Sequence, residues 1–373
     1  MIQCLKKISL LTKIVRKIRL YKNLIKVFFF TINLKGKQTT APIIHGLNGF
    51  ILRFVKEAYV TFSFKPKKIK NFKNLSEIAN NNSVGIVLQG PIGGGIDFLI
   101  ETVKFYKQLY PECFLVISTW DTESAQNKLK LENANIKVLY NNLPESLGYG
   151  NINAQILSTY NGINFLNSQG CKYIMKTRTD CRIFRPNAIS YMINLLNVFE
   201  NKKHSQKNRI IACSSNTCKY RIYGITDILL FGHVDDISLY FENKYFDEGL
   251  KLFGKKIEEE KIVNFTPVVS EVFLCAKYLI NIGEKLDWSL EHYWNCVKDY
   301  FLIIDFNSID FFWKKYDWNF EQKFHKHFTL ETNRPIDFLD WIYMYGNDEI
   351  RFDKKFQEKW IKKGNDFEKI SEF

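Results

Sequence analysis

Long apolar runs are missing from this 373-residue chain. The nearest approach, at the N-terminus, is broken by Lys13, Arg16, Lys17, Arg19, Lys22 and Lys26 well before the ~20 apolar residues a bilayer span requires. The same charges exclude a standard secretory core. Paired cysteines are missing too. The eight cysteines, Cys4, Cys113, Cys171, Cys181, Cys213, Cys218, Cys275 and Cys296, form no C-x-x-C motif, so a zinc ribbon or thioredoxin-like motif has no support and reduced, buried thiols inside a cell are expected. Gly90, Gly93, Gly94 and Gly95 cluster, yet they give neither G-x-G-x-x-G nor Gly-Lys-Ser/Thr, which sets aside the dinucleotide and P-loop fingerprints. Acidic residues are scarce in one region only. Residues 1–82 hold 17 basic and 2 acidic side chains, against 36 and 37 in the remaining 291. A body so nearly neutral lacks the clustered positive face that counterion release needs, and no nucleic-acid partner is expected.

What is present is apolar and aromatic: 46% hydrophobic and 16% aromatic residues, enough for a sizeable core. Leu11, Ile14, Val15, Ile18, Tyr21, Ile25, Phe28 and Phe29 recur on one helical face, with Lys13, Arg16, Lys17 and Arg19 largely opposite. Such a basic amphipathic helix suits an anionic membrane surface, the cytoplasmic face of the inner membrane for a chain without a secretory signal. Docking on the protein's own body is the other reading. Lys65-Pro66-Lys67-Lys68 and Asn80-Asn81-Asn82-Ser83 read as linker. Three regions follow: a basic extension over 1–82, a catalytic domain over 83–300, and an aromatic-rich C-terminal region over 301–373 packing on it.

From Ser83 onward, short apolar runs alternate with helical spacing, the pattern of an α/β sheet flanked by helices. Strands are expected at Val84 to Leu88, Phe114 to Ile117, Lys137 to Tyr140 and Tyr173 to Lys176. Helices carry Leu99, Val103, Tyr106 and Leu109, with Asp97 as cap, and then Ile152, Ile156, Thr159 and Ile163. Open α/β sheets bind ligands at the carboxyl ends of their strands. Gln89-Gly90-Pro91, Trp120-Asp121 and Arg178-Thr179-Asp180-Cys181-Arg182 all stand there.

In this order, residues 84–91 (VGIVLQGP), 116–120 (VISTW), 151–159 (NINAQILST), 173–180 (YIMKTRTD) and 226–232 (TDILLFG) resemble the WavE family of lipopolysaccharide-synthesis glycosyltransferases. The resemblance spans roughly residues 84–280. It implies a GT-A-like nucleotide-sugar-binding sheet, a nucleotide-sugar donor, and a glycan or lipid-linked acceptor in surface-glycan synthesis. GT-A enzymes commonly hold a divalent metal, Mn or Mg, on Asp-x-Asp after the fourth strand. Here that place reads Asp180-Cys181-Arg182, leaving one carboxylate.

The residues themselves point the same way. Gln89, Trp120 and Asp121 offer amide, stacking and carboxylate contacts to a base and ribose. Alternation along an extended strand puts Lys176, Arg178, Asp180 and Arg182 on one face, three cations suited to a diphosphate, with Asp180 the candidate metal ligand. A structural Arg/Asp ion pair is the competing account. Asn151, Asn153 and Gln155 open a helix whose amides can meet a phosphate, or they cap it. Glu271, ahead of Val272, Phe273, Ala276 and Leu279, and Asp227, ahead of Ile228 to Phe231, are the candidate acceptor bases, with Glu271 preferred. A catalytically inactive nucleotide- or glycan-binding protein is the alternative. His325 and His327, flanking Lys326, read as a solvated pair.

Overall fold

The computed structural model describes residues 83–351, apart from 93–94, 202–204, 243–268, 317–333 and 349. The amphipathic N-terminal stretch, the linkers up to Asn82, Gly93, Gly94, His325 and His327 lie outside the described residues. Among those described, no helix is long and apolar enough to cross a membrane.

Nine strands are described: β1 Val84–Gln89, β2 Phe114–Trp120, β3 Val138–Asn141, β4 Tyr173–Arg178, β5 Cys181–Ile183, β6 Ile210–Cys213, β7 Leu230–His233, β8 Phe301–Ile304 and β9 Phe311–Trp313. Seven of them form one sheet in the order β3-β2-β1-β4-β7-β6-β8, and β5 pairs with β9 apart from it. Within the main sheet β7 runs antiparallel to β4 and β6 and the other pairings are parallel, and β5 pairs with β9 antiparallel. The sheet is buried on both faces, so β1 reads as an unbroken apolar run that is buried throughout. The helices are α1 Ile96–Leu109, α2 Ala125–Asn133, α3 Ile152–Ser168, α4 Ala188–Val198, α5 Val234–Tyr240, α6 Ser270–Asn281, α7 Leu290–Tyr300 and α8 Phe338–Tyr345. α3 lies close on the sheet because Gly162 has no side chain: a Cβ there would stand 2.7 Å from Val87 Cγ1.

Three expectations change. Asp97 does not cap α1; the N-cap is Gly95, and Asp97, in the first turn, pairs with Lys130 at 3.3 Å. The fourth strand does not run on through Arg182, because it ends at Arg178 and a turn over Thr179 and Asp180 starts β5, which leaves the main sheet. The main sheet also crosses residue 300. β8 begins at Phe301 and pairs with β6, and Trp341 of α8 donates its indole N–H to the Phe301 carbonyl at 2.8 Å.

Candidate functional site

The chain runs from β1 outward to β2 and β3, then returns to β4 on the other side of β1. That reversal opens a crevice beyond the carboxyl ends of β1 and β4, where ligands of doubly wound sheets bind. The two ends are stitched together. The Thr179 amide donates to the Gln89 carbonyl at 3.1 Å, and the Thr179 hydroxyl donates to the Pro91 carbonyl. Gly90 takes φ 110°, a conformation that residues with a Cβ rarely adopt. Glu123, absent from the sequence-based candidates, accepts from the Ile92 amide at 3.0 Å and the Thr119 hydroxyl at 3.2 Å, fixing the start of the glycine-rich turn.

Register fixes which side chains share a face. Gln89 lies opposite Arg178 and Val87 opposite Lys176, so Gln89, Lys176 and Arg178 point to one side, which α3 covers. Gln89 Nε2 donates to Ser158 Oγ of α3 at 3.0 Å, and Asn141 and Ser118 extend this buried polar network. Gln89 Oε1, Gln155 Nε2, Thr159 Oγ1 and Thr177 Oγ1 are buried and have no hydrogen-bond partner among the described residues. Orphaned polar atoms of this kind call for a ligand or an ordered water. Trp120 is buried at the end of β2, with Asp121 exposed beside it.

The cations separate. Lys176 is fully buried and donates to the Asp227 carbonyl; burial pushes its ammonium down to about 8, against an opposing pull from Asp227. Arg178 Nε meets Asp180 Oδ1 at 2.9 Å, and its side chain keeps 31% of its surface exposed. Arg182 goes elsewhere, because β5 carries it onto α1: its Nε donates to Thr102 Oγ1 at 2.9 Å, its Nη2 donates to the Phe98 carbonyl at 2.9 Å, and its guanidinium lies 4.3 Å from the Phe98 ring centroid. The expected convergence therefore holds for Lys176, Arg178 and Asp180 and fails for Arg182.

Asp180 is saturated. Oδ2 accepts from the Trp313 indole at 2.9 Å, and the Lys314 amide donates to the Asp180 carbonyl at 2.8 Å. Burial raises the Asp180 carboxyl, but Arg178 and the Trp313 indole outweigh it and hold the group below the usual carboxylate value. The Arg178 guanidinium beside the carboxylate repels a second cation, so Asp180 suits a fixed anion, and a divalent ion there would share it with Arg178 and Trp313. Trp313 was illegible in the sequence, since nothing in an aromatic-rich stretch marks one Trp as the partner of an aspartate 133 residues away.

Asp227 lies in the segment entering β7, beside the ends of β4 and β6. It is close enough to Lys176, Arg178 and Glu271 to act electrostatically on all three. Glu271 sits in the first turn of α6 and accepts from the Asn216 side-chain amide. Burial raises its carboxyl to about 7, the negative charge of Asp227 adds to that rise, and Arg221 and Asn216 oppose it. Asn216 takes φ 65° just after β6, a left-handed turn that the sequence reading missed. Asn151, also left-handed, precedes α3 without a side-chain cap bond, so the capping account of it fails. The neighbouring Gly150 lies against the start of α6: a Cβ on it would stand 3.5 Å from Ser270 Oγ. Asn153 turns back, its side-chain amide donating to the Ser146 carbonyl at 3.0 Å.

A family model described as WavE lipopolysaccharide synthesis matches residues 84–363. The chain belongs to this family. The match runs beyond the roughly 84–280 that the motifs cover and takes in β8, β9 and α8. WavE membership connects the chain to lipopolysaccharide synthesis. No curated protein matches the chain. Among solved structures it is similar to the mannose-1-phosphate geranyltransferase from Thermus thermophilus, with 15% identity, a TM-score of 0.22, and coverage of 35% of this chain and 41% of that one. The chain thus spans less than half the length of that structure.

Proposed function

We propose that this WavE protein is a glycosyltransferase that moves a sugar from a nucleotide donor onto a lipopolysaccharide or other surface-glycan acceptor. The observation that carries this reading is the electrostatic reach of Asp227, which acts on Lys176 and Arg178 at the end of β4 and on Glu271, whose carboxyl is raised. The doubly wound strand order supports a GT-A-like sheet. Gln89, Gly90 and Pro91 form the floor of the donor pocket, with Trp120 and Asp121 at the next strand end. Arg178 and Lys176 neutralise the departing diphosphate. In the transfer step Glu271 takes the proton of an acceptor hydroxyl, that oxygen bonds to the anomeric carbon, and the bond to the diphosphate oxygen breaks with its electron pair leaving on the nucleotide. A base poised near neutral pH suits this task. The acceptor is a lipid-linked or surface glycan, met at an anionic membrane surface through residues 1–82.

A thermal-shift screen of nucleotide sugars, followed by assay of nucleoside diphosphate release, tests this. The right donor raises the melting temperature of the wild type and of Glu271→Gln but not of Arg178→Ala, and only the wild type turns over. A donor that binds without turnover in the wild type favours the binding-only alternative, which the saturation of Asp180 also suits. Absence of any shift with any nucleotide sugar removes both readings.

A further inference from the structure

Outside the crevice, Glu284, His292 and Cys296 bring one donor atom each within 4.8 Å of one another, the only such group of three among the described residues. His292 and Cys296 are four apart on α7, which stacks them one turn over the other, and Glu284 reaches them from the segment before the helix. His292 Nε2 lies 3.4 Å from Glu284 Oε2 and 3.8 Å from Cys296 Sγ. Zinc bonds of about 2.0–2.3 Å at tetrahedral angles separate neighbouring ligand atoms by about 3.3–3.7 Å, so the spacing is already close to that of a coordination shell.

The supporting groups fit the same assignment. Tyr223 Oη lies 2.8 Å from His292 Nδ1, so with the ring proton on Nδ1 the Nε2 lone pair is free for the ion beside the carboxylate, and the thiol, which flanks the ring, would turn toward Nε2 to join the shell. Cys296 Sγ is also 3.4 Å from Nδ1. Tyr300 donates to Glu284 Oε1, which leaves Oε2 as the ligand atom. Ligating histidines and carboxylates are commonly oriented by such second hydrogen bonds. The side chains of His292 and Glu284 remain 20% and 27% exposed, which provides an approach and room for a water as fourth ligand.

The geometry points to a structural zinc site formed by Glu284, His292 and Cys296, with Tyr223 and Tyr300 orienting two of the ligands. Through Tyr223 the ion would tie α7 to the loop that leads to Asp227. It is not the metal of a diphosphate site, which takes hard oxygen ligands.

Full-length protein without a histidine tag, grown in zinc-supplemented medium, should contain about one zinc per chain by elemental mass spectrometry. Cys296→Ser and His292→Gln should contain almost none, and Cys113→Ser should match the wild type. Cobalt added to chelator-stripped protein should give a thiolate-to-cobalt charge-transfer band that Cys296→Ser lacks while its far-ultraviolet circular dichroism is unchanged. Chelation should lower the melting temperature by about 5 °C or more. If Cys296→Ser does not fold, Glu284→Gln takes its place in the zinc measurement and should show reduced content. Zinc-free wild-type protein whose stripped form gives no cobalt band overturns the assignment, as does a band that persists in Cys296→Ser.

Discussion

Two buried carboxylates, Asp180 and Glu271, are pushed in opposite directions by their neighbours. Asp180, in the turn after β4, accepts from Arg178 and Trp313, and its carboxyl lies below the usual value. Glu271, at the start of α6, accepts from Asn216 and rises to about 7, because burial and the charge of Asp227 outweigh Arg221 and Asn216. Burial acts on both in the same direction, so the neighbours decide the outcome: an opposite charge fixes an anion, and a like charge makes a proton exchanger. The Asp180 ion pair thus rests on β4, β5 and β9, and the carboxyl with the raised value stands on α6.

The largest effect expected from breaking this contrast is on turnover. Glu271→Gln should lower kcat by about 10²- to 10⁴-fold with donor affinity nearly unchanged, as measured by steady-state kinetics and calorimetry. Arg178→Ala comes next, because it leaves Asp180, 95% buried in its side chain, without its cation. It should cost about 3 kcal/mol in urea denaturation and also weaken the donor. Arg182→Ala sharpens the comparison from outside the crevice. It should cost about 2 kcal/mol through lost contacts with Thr102 and Phe98 while donor affinity stays within about twofold of wild type.

The two carboxylates also give opposite dependences of stability on pH. Asp180, with its lowered pKa, contributes stability that is present above the ordinary Asp value and lost as pH falls through the folded one. Glu271, with its raised pKa, contributes stability that is present below the ordinary Glu value and lost as pH rises through about 7. Melting curves from pH 3 to 8 should therefore show Asp180→Asn removing part of the loss of stability on the acid side and Glu271→Gln removing part of the loss between about pH 4.5 and 7, each by a few degrees. Asp97→Ala should do least. Its side chain is 87% exposed, and the pair with Lys130 should be worth less than about 0.5 kcal/mol by denaturant titration.

The first four strands and the helix at Ile152 were legible because apolar runs and helical spacing are local properties, and each strand ended in polar residues where a ligand would meet it. The two candidate bases were picked out for the same reason: Glu271 and Asp227 stand at the boundaries of apolar segments. Arg182 was misplaced because alternation assumes a continuous strand, and neither Thr179 nor Asp180 announces a turn. β5, Cys181–Ile183, is too short to stand out, and its partner β9, Phe311–Trp313, lies about 130 residues away in an aromatic stretch. That long-range pairing brings Trp313 to Asp180, and a boundary at residue 300 would have separated the two. Gly95 displaced Asp97 as the N-cap of α1, because the chain enters that helix from a glycine-rich turn.

Titration of Glu271 itself tests the contrast most directly and needs no substrate. With side-chain carboxyl carbons labelled, magnetic resonance across pH 3 to 9 should show one glutamate absent from Glu271→Gln and titrating near pH 7 in the wild type. In Asp227→Asn that midpoint should move down toward the ordinary value of 4.5, since the like charge is gone. A Glu271 resonance already titrating near 4.5 in the wild type, or one unmoved by Asp227→Asn, would contradict the account of the two carboxylates.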